Sequence, residues 1–406
     1  MTAGCGTQDA TRRPFLVYAP GVRVIGLMSG TSADAVDAAL VEWPEGSAPQ
    51  PFRLLAFRAD PIPDTVRDRI HRLAAGRVPA GDALGELARL DVALGERFAA
   101  SAAAVAGDAK LALETVDAIA SHGQTVAHHP EDRASLQIGD PSVIAERTGR
   151  TTVADFRARD LAAGGEGAPL TPYFHVAAFG DPDEDRAVLN LGGIANITWI
   201  PRGSNPDDVV AFDVGPANAL IDGVVHVLTG GRERMDRDGA RAARGRVDPK
   251  LVERLLDDEF LRRSPPKSTG RERYGSAQAE ELAARWSETG QSGDDLVATL
   301  VAFTAQAVHR ACRDLLGASK LNRLLVGGGG AKNPAMMRAL TTGLPGVAIE
   351  PFDVMGVPAA AAEAMAFALM GRNALLGIPN HLPRCTGAAR AAVLGEIVPG
   401  GDGSPR

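Results

Sequence analysis

Four apolar segments that each break into glycines and small polar residues constrain the fold of this chain most strongly. They are residues 24–34 (ValIleGlyLeuMetSerGlyThrSerAlaAsp), 189–196 (LeuAsnLeuGlyGlyIleAlaAsn), 212–218 (PheAspValGlyProAlaAsn) and 324–333 (LeuLeuValGlyGlyGlyGlyAlaLysAsn). An apolar, β-branched run that ends at glycine is typical of a buried strand followed by a turn, where backbone N–H groups can approach an anion. Several such turns in one chain predict a nucleotide site split between two lobes, with two turns at the phosphates and one near the base or ribose.

Length and composition favour a two-domain globular protein. The chain has 406 residues, of which 45% are hydrophobic and 23% charged, enough to bury more than one core. A net charge of -7 argues against nonspecific nucleic-acid binding, which depends on Lys and Arg neutralising phosphates. The three cysteines form no CxxC pair, so neither a disulfide framework nor a thiolate metal site is indicated.

The sequence also indicates a soluble, cytoplasmic protein. Residues 1–20 contain no apolar signal region, and no later stretch reaches the roughly 18 consecutive apolar residues of a membrane span. We therefore expect no membrane partner and a reducing cytosol.

The distribution of strands, helices and loops predicts an α/β fold. Strands are expected at 22–27, 37–41, 116–120, 135–138, 152–156 and 323–326, and helices at 84–105, about 295–316 and 358–376. The predicted organisation is a disordered tail at 1–20, one domain at 21–183, a second domain at 184–398 and a disordered tail at 399–406, with the last segment of the second domain able to pack back on the first. Each half begins with two strands joined by a glycine turn, which suggests two similar domains facing a cleft.

The first glycine turn is a candidate phosphate site. Gly30, Thr31 and Ser32 offer backbone N–H and hydroxyl donors, and Asp34 can hold Mg²⁺ through water. The alternative is an ordinary tight hairpin with an Asx turn. The segment lacks the GxxxxGK[ST] pattern of a Walker A loop.

The later glycine turns are candidate nucleotide contacts. Gly192, Gly193 and Asn196 form a second possible anion turn, although a plain hairpin explains this segment as well. Gly328 and Gly329 belong to the last turn, which helices are expected to flank.

Asp213 is the best candidate for chemistry. It is expected to end a strand before GlyPro, so that its carboxylate projects over the cleft between two glycine turns. A general base must reach the proton that it abstracts, and proteins that transfer phosphoryl groups act mainly by positioning and charge. The alternative is an aspartate that caps the helix beginning near Pro216.

Polar residues at 121–125 are expected to follow a strand and to contact sugar hydroxyls. The candidates are Ser121, His122, Gln124 and Thr125. The nearby His128 and His129 match no zinc signature, so metal ligation by these imidazoles is not indicated.

Two further charged positions are candidates for the substrate side of the cleft. Arg157 and Arg159 follow a strand, and arginine suits bidentate recognition of a carboxylate, although a surface ion pair explains Arg159 equally well. Glu363 lies in an otherwise apolar helix, where it either faces water or reaches into the site.

Taken together, the motifs closely resemble those of the anhydro-N-acetylmuramic acid kinases, a branch of the actin, sugar-kinase and Hsp70 ATPase superfamily. The resemblance covers about residues 22–398 and appears in family order at 28–32 (MetSerGlyThrSer), 121–125, 137–141, 154–160, 167–170, 191–196, 212–216, 266–272 and 363–367.

The resemblance implies two RNase H-like (actin-like ATPase) domains that flank a nucleotide and sugar cleft. It implies a cytosolic, ATP- and Mg²⁺-dependent enzyme of cell-wall recycling, commonly a homodimer, that opens 1,6-anhydro-N-acetylmuramic acid with water and phosphorylates O6. Asp213 would activate the water, Arg159 would assist at the sugar and Glu363 would lie near sugar and nucleotide. The residues implied at the ATP phosphates are Gly30, Thr31, Ser32, Ala33, Asp34, Ala35, Val36 and Asp37.

The sequence departs from the family pattern at four positions. Ala35 and Ala217 replace usual glycines, and Ala127 and Ala158 stand where arginine is common. Fewer arginines leave open a kinase for a neutral anhydro sugar such as levoglucosan. Ala35 and Ala217 leave open a nucleotide-binding regulator that has lost turnover. The presence of Asp34 and Asp213 argues against this alternative.

Overall fold

The structure is a computed structural model that describes residues 21–203, 205–265, 267–270, 273–315 and 321–401. The tail predicted at 1–20 lies outside the described residues, as do residues 402–406 of the C-terminal tail. The described residues form two β-sheets with helices packed on their faces. The predicted α/β class is confirmed.

The first sheet holds mainly strands from the first half of the chain. Its strands are β1 (Val22–Ser29), β2 (Ala35–Trp43), β3 (Arg53–Pro61), β4 (Ala118–His129), β5 (Ala134–Ile138), β6 (Thr151–Ala154) and β12 (Glu396–Val398). The order is β12-β6-β4-β1-β2-β3, with β5 paired to β4. Strands β1, β2 and β3 form an antiparallel meander, whereas β4 runs parallel to both β1 and β6.

The second sheet repeats this arrangement. Its strands are β7 (Arg186–Leu191), β8 (Ile194–Ile200), β9 (Val210–Pro216), β10 (Arg323–Gly327) and β11 (Ala348–Pro351), in the order β11-β10-β7-β8-β9. Again three antiparallel strands are followed by two parallel ones. This shared order of three meander strands and two crossover strands is the RNase H-like topology, present twice.

Fourteen helices are found within the described part of the chain. They are α1 (Asp64–Ala74), α2 (Ala80–Asp108), α3 (Pro141–Thr148), α4 (Phe156–Ala162), α5 (Pro172–Phe179), α6 (Asn218–Leu228), α7 (Ala240–Arg244), α8 (Pro249–Leu256), α9 (Glu259–Arg262), α10 (Ser276–Ser287), α11 (Gly293–Arg310), α12 (Pro334–Gly343), α13 (Ala362–Leu375) and α14 (Pro383–Thr386). Side-chain caps begin several of them, such as Asp248 before α8, Ser292 before α11 and Asn333 before α12.

Period-2 alternation in the strands divides the core into layers. In β2, Ala38 and Leu40 face a core shared with α2, whereas Ala39 and Val41 face a core shared with α13 and α5. The same middle core includes Val188 of β7 and neighbouring residues of β8 and β10. The outer face of the second sheet packs against α6, α8, α11 and α12. Helix α13 therefore lies in a core to which both sheets contribute.

Helix α13 contacts the first sheet at two glycines. A Cβ atom placed on Gly26 of β1 would lie 1.8 Å from the carbonyl oxygen of Ala364, and one on Gly371 would lie 2.4 Å from the Cβ of Ala120. Both distances are too short for a side chain. The helix therefore approaches the sheet more closely than any residue with a Cβ would allow at these positions.

The predicted domain limits of 21–183 and 184–398 stay a prediction. The membership of the sheets follows them except in the last segment, because α13 packs on the first sheet and β12 pairs with β6.

Several local predictions were wrong in a common way, because strands continue through the polar motifs. The motif at 121–125 lies inside β4, and Asp213 lies within β9, whose last residue is Pro216. In β4, Gly123 has a φ of +75° where the strand changes from pairing with β1 to pairing with β5. Asp213 adjoins a register shift between β8 and β9. Such bulges let a strand bend and continue.

Replacing Gly26 tests the importance of the contact between α13 and β1. Gly26→Ala should lower the free energy of unfolding by about 1 to 3 kcal/mol, the usual cost of overpacking, because the contacted atom belongs to rigid backbone. Urea denaturation provides the measurement. Gly107→Ala in α2 is the control, since no atom lies within 4 Å of its added Cβ. Equal stability of the Gly26 and Gly107 variants would contradict this account.

Candidate active site

A cavity of about 680 Å³ is lined by residues from both sheets and from α13. It brings together five of the candidate site residues, Asp37, Asn196, Asp213, Gly328 and Glu363. The other named residues are described outside this lining: Gly30, Thr31, Ser32, Ala33, Asp34, Ala35, Val36, Gly192, Gly193, Gly329, Ser121, His122, Gln124, Thr125 and Arg159. One residue at or close to each of the three glycine turns thus reaches the cavity.

The first glycine turn joins β1 to β2 tightly. The N–H of Ala33 donates to the carbonyl of Gly30 at 2.9 Å, and Ala33 is buried with a φ of +52°. Asp34 is exposed at the tip of the turn, and its Oδ1 lies 3.4 Å from Nη1 of Arg67. The carboxylate therefore remains accessible to solvent.

The two glycine turns of the second sheet lie against each other. The carbonyls of Gly192 and Gly193 accept hydrogen bonds from the first N–H groups of α6, and the side chain of Asn218 donates to the carbonyl of Leu191 at 2.8 Å. Gly328 has a φ of +78°, and a Cβ there would lie 2.5 Å from Oδ1 of Asn190. Only glycine allows the β10 turn to approach β7 this closely.

The two alanines that replace family glycines differ in how their backbone conformations suit a residue with a Cβ atom. Ala35 begins β2, and Ala217 has a φ of -128°. Neither residue has a φ in the left-handed region. Ala35 therefore fits its strand, whereas Ala217 combines its φ with a ψ of -114°, outside the main regions allowed for alanine.

Asp213 is held by the segment at 267–270. Its N–H donates to the carbonyl of Lys267 at 3.0 Å, and its Oδ2 accepts a hydrogen bond from the N–H of Thr269 at 2.9 Å. On the other side it pairs in register with Asn196 of β8. Helix α6 begins without a side-chain cap, so Asp213 is not the N-cap of that helix.

Two carboxyl groups face each other where β2 approaches α13. Burial, followed by the charge of Glu363, raises the pKa of Asp37 to about 6. Glu363 has solvent access through the cavity, but the protein around it raises the pKa of its carboxyl by desolvation, an effect that Arg157 opposes. The pair therefore binds protons more readily than isolated carboxylates do.

The structure distinguishes clearly between the two arginines of α4. Arg159 is exposed, whereas Arg157 donates from Nε to Nε2 of His122 at 3.0 Å and from Nη1 to the carbonyl of Gly167 at 2.5 Å. Burial lowers the pKa of Arg157 to about 10. Sequence reasoning favoured Arg159, because no local pattern shows which of two alternate arginines turns inward.

His122 is a buried support for Arg157. Its Nδ1 donates to the carbonyl of Gly123 at 3.0 Å, and its ring centroid lies 4.7 Å from that of Phe367. Burial, followed by the charge of Arg157, holds the pKa of His122 well below its usual range. The imidazole is therefore neutral and accepts the Arg157 hydrogen bond at Nε2.

The other polar residues of β4 bond mainly within the protein. Oε1 of Gln124 accepts a hydrogen bond from the hydroxyl of Ser29 at 2.7 Å, and the hydroxyl of Thr125 accepts one from Gln137 at 3.2 Å. Ser121 is buried. These contacts join β4 to its neighbouring strands.

Several lining residues were not singled out from the sequence. Glu166 and His175 line the cavity, and one of its walls is formed by Lys267, Ser268, Thr269 and Gly270. The last four were named only within a family motif. Burial lowers the pKa of His175 to about 3, and its Nδ1 lies 3.0 Å from the hydroxyl of Thr198. A lone histidine in an apolar helix gives no sequence signal that its side chain lines a cavity.

The described residues contain no cluster of three or more His, Cys, Asp or Glu side chains that could hold a metal ion by themselves. This is compatible with Mg²⁺, which commonly takes one or two carboxylates and fills its other positions with waters and substrate phosphates.

A search of the helices in the described part of the chain finds none with the length and hydropathy of a membrane span.

Two RNase H-like repeats, with glycine turns and an aspartate at one shared cavity, are typical of two-lobed phosphotransferases. The sequence model of the anhydro-N-acetylmuramic acid kinase family matches residues 22–400. A curated protein of Caldanaerobacter subterraneus named "Anhydro-N-acetylmuramic acid kinase" is 40% identical to this chain, over 92% of this chain and 96% of its own length. A protein of the same name in Streptomyces coelicolor is 44% identical, over 93% of this chain and 94% of its own length. The protein of that name in Gloeobacter violaceus is 44% identical over 93% of this chain and 98% of its own length.

The chain belongs to the anhydro-N-acetylmuramic acid kinase family. The match extends over nearly the whole described region and includes both sheets. The family predicted from the sequence motifs is confirmed.

The pair of carboxyl groups predicts a pH-dependent gain in stability for Asp37→Asn. An aspartate has an ordinary pKa of 3.8, so between about pH 4 and 6 the unfolded chain ionises at Asp37 before the folded protein does, and the folded state loses stability as pH rises. One pKa unit corresponds to about 1.4 kcal/mol, and solvent in the cavity reduces the effect, so we expect the variant to gain roughly 1 to 2 kcal/mol at pH 7.5.

Thermal unfolding of the ligand-free protein at pH 4.5 and pH 7.5 provides the measurement. Asp68→Asn, at an exposed position of α1, is the matched control and should change little. A gain for Asp37→Asn that is equal at the two pH values, or absent at pH 7.5, would show that the two carboxyl groups are not coupled to folding in this way.

Proposed function

We propose that this protein is a kinase that uses ATP and water to convert 1,6-anhydro-N-acetylmuramic acid into N-acetylmuramic acid 6-phosphate. Family membership over residues 22–400 supports the activity, and the relatives carry the corresponding name. The observation that carries the proposal is the position of Asp213, fixed by two backbone hydrogen bonds in a cavity that the glycine turns border.

Asp213 acts as the general base in the proposed reaction. It takes a proton from a water molecule, and the water oxygen bonds to C1 of the sugar while the bond between C1 and O6 breaks. The electron pair released on O6 attacks the γ-phosphorus of ATP, and ADP leaves. A base held rigidly within hydrogen-bond reach of the water contributes through positioning as well as proton transfer.

The glycine turns are proposed to contact the nucleotide. The segment from Gly30 to Asp37 would contact the phosphates, as would Gly192, Gly193 and Asn196. Gly328 and Gly329 would lie near the base or ribose. Asp34 would hold Mg²⁺ through water, since its carboxylate is exposed at the turn. When bound, Mg²⁺ neutralises charge on the phosphates.

The sugar is proposed to lie between Glu363, Arg159 and the polar segment of β4. Glu363 faces the cavity, which supports a contact with the substrate. For His122, Gln124 and Thr125, the internal hydrogen bonds support a role in shaping the wall of this subsite rather than in direct contact. Ser121 is buried beside them, and no hydrogen-bond partner of its hydroxyl is found among the described residues.

We propose a cytoplasmic enzyme that acts as a homodimer on a small-molecule sugar, without nucleic-acid or membrane partners. The net charge of -7 fits the first of these exclusions.

Replacing Asp213 separates catalysis from binding. Asp213→Asn keeps the shape and an oxygen able to accept the Thr269 hydrogen bond, but it removes the basic carboxylate. General-base removal typically costs about 10² to 10⁴ in rate, and kcat, measured from sugar phosphate by mass spectrometry, should fall accordingly. The Kd for a non-hydrolysable ATP analogue, measured by calorimetry, should change little.

Asp208→Asn is the matched control, because Asp208 is an exposed aspartate in the connection that leads into β9. It should retain full activity. Retention of more than about a tenth of wild-type kcat in Asp213→Asn would contradict the role as base, and joint loss of nucleotide binding and rate in a folded variant would make Asp213 a phosphate-site residue.

A second test concerns recognition of the lactyl carboxylate. Hydrogen bonds to charged groups contribute about 1.5 to 3 kcal/mol, so Arg159→Ala should lower kcat/KM for the muramic substrate by roughly tenfold to a hundredfold. The loss should be smaller on any neutral anhydro sugar that the enzyme accepts. Arg77→Ala, at another exposed arginine, serves as the control. Equal losses on charged and neutral sugars would rule out this contact.

A further inference from the structure

Lys267 is a buried lysine at the start of the segment that holds Asp213. The residue is only 6% exposed. Its Nζ donates to the carbonyls of Phe260 at 3.1 Å and Leu261 at 3.3 Å, and it lies 4.7 Å from the centroid of the Phe260 ring and 5.8 Å from that of Phe212. A buried ammonium is costly unless it is compensated, and carbonyl oxygens and aromatic faces provide compensation here.

The backbone of the same segment holds the carboxylate of the proposed base. The carbonyl of Lys267 accepts the N–H of Asp213, and two residues later the N–H of Thr269 donates to Oδ2 of Asp213. Thus the side chain of Lys267 fastens the segment to the end of α9 while its backbone fastens the segment to β9. Phe212, next to Asp213, takes part in the same cluster.

We propose that Lys267 is a positioning residue for Asp213, whose ammonium group anchors residues 267–270 so that their backbone orients the Asp213 carboxylate. The inference rests on the proposed function, in which Asp213 is the base. Lys267 lines one wall of the cavity, but its ammonium group is engaged with carbonyls of α9, so its effect reaches the substrate through Asp213.

The anchor is expected to weaken when Lys267 loses its charge. Burial, followed by the like charge of Arg263, lowers the pKa of Lys267 to about 8, and the charges of Asp213 and Asp258 oppose this shift. A neutral amine binds carbonyls less strongly than an ammonium does. The kcat of the wild-type enzyme should therefore decline as pH rises through about 8.

The titration of Lys267 should not lower the stability of the protein over the pH range in which kcat falls. The folded-state pKa of Lys267 lies below the ordinary value of 10.5, so between about pH 8 and 10.5 the unfolded chain holds the proton more tightly. The contribution of Lys267 to the free energy of unfolding then rises with pH. A fall in kcat without a matching loss of stability distinguishes misplacement of Asp213 from general unfolding.

Two substitutions and a control test the inference in the full-length enzyme. Lys267→Met keeps the apolar stem without donors or charge, and it should lower kcat by about tenfold to a hundredfold, the scale of a misplaced catalytic group, and remove the decline near pH 8. Lys267→Arg keeps a permanent charge and should recover much of the rate and move the decline to higher pH. Lys250→Met, at an exposed position of α8, should behave as wild type.

The outcomes separate this inference from the proposed function. Wild-type turnover of the anhydro sugar together with a Lys267→Met variant whose kcat stays within about threefold, against the loss expected for misplacement, overturns the positioning role alone. An unchanged decline near pH 8 in Lys267→Arg overturns it as well, and this test stands even if the Met variant does not fold. Wild-type protein without turnover overturns the proposed function itself.

Discussion

The close approach of α13 to β1 is the packing constraint on which the cavity depends. Gly26 has no Cβ, and the carbonyl of Ala364 occupies the space that a Cβ would need. Because Ala364 directly follows Glu363, this contact also determines how far the backbone of Glu363 lies from the first sheet. The core that α13 shares with both sheets also includes residues of β7 and β10. One glycine contact thus bears on the sheet packing and on the placement of a cavity carboxylate.

Carboxyl groups outnumber cationic side chains in the lining of the cavity. Asp37, Glu166, Asp213 and Glu363 line it, whereas the Lys267 ammonium is engaged with α9. In the proposed reaction, an ATP molecule bound here would need hydrogen-bond donors other than lysine or arginine side chains. Backbone N–H groups at glycine turns supply such donors at little conformational cost, and a bound divalent cation offsets charge on the phosphates.

The sequence was sufficient to predict most of the architecture because its signals are local. The glycine turns mark where β1 ends, where β7 turns into β8 and where β10 ends, and the helical period marks α2 and α11. The tertiary effects were harder to predict. Nothing local shows that a bulge at Gly123 lets β4 continue or that Arg157 rather than Arg159 turns inward. Nor does it show that the carbonyl of Lys267 accepts the N–H of Asp213, because each of these features depends on a partner distant in sequence.

In the proposed reaction, one cavity couples hydrolysis of the anhydro ring to phosphorylation of O6, with Asp213 activating the water. The most direct measurement is mass spectrometry of the product formed from ATP and 1,6-anhydro-N-acetylmuramic acid in ¹⁸O water. We expect one solvent oxygen at C1 and none in the phosphate group or at O6. A phosphorylated product that keeps the 1,6-anhydro ring and carries no solvent oxygen would contradict this mechanism, because a hydroxyl other than O6 would then have been phosphorylated without attack of water on C1.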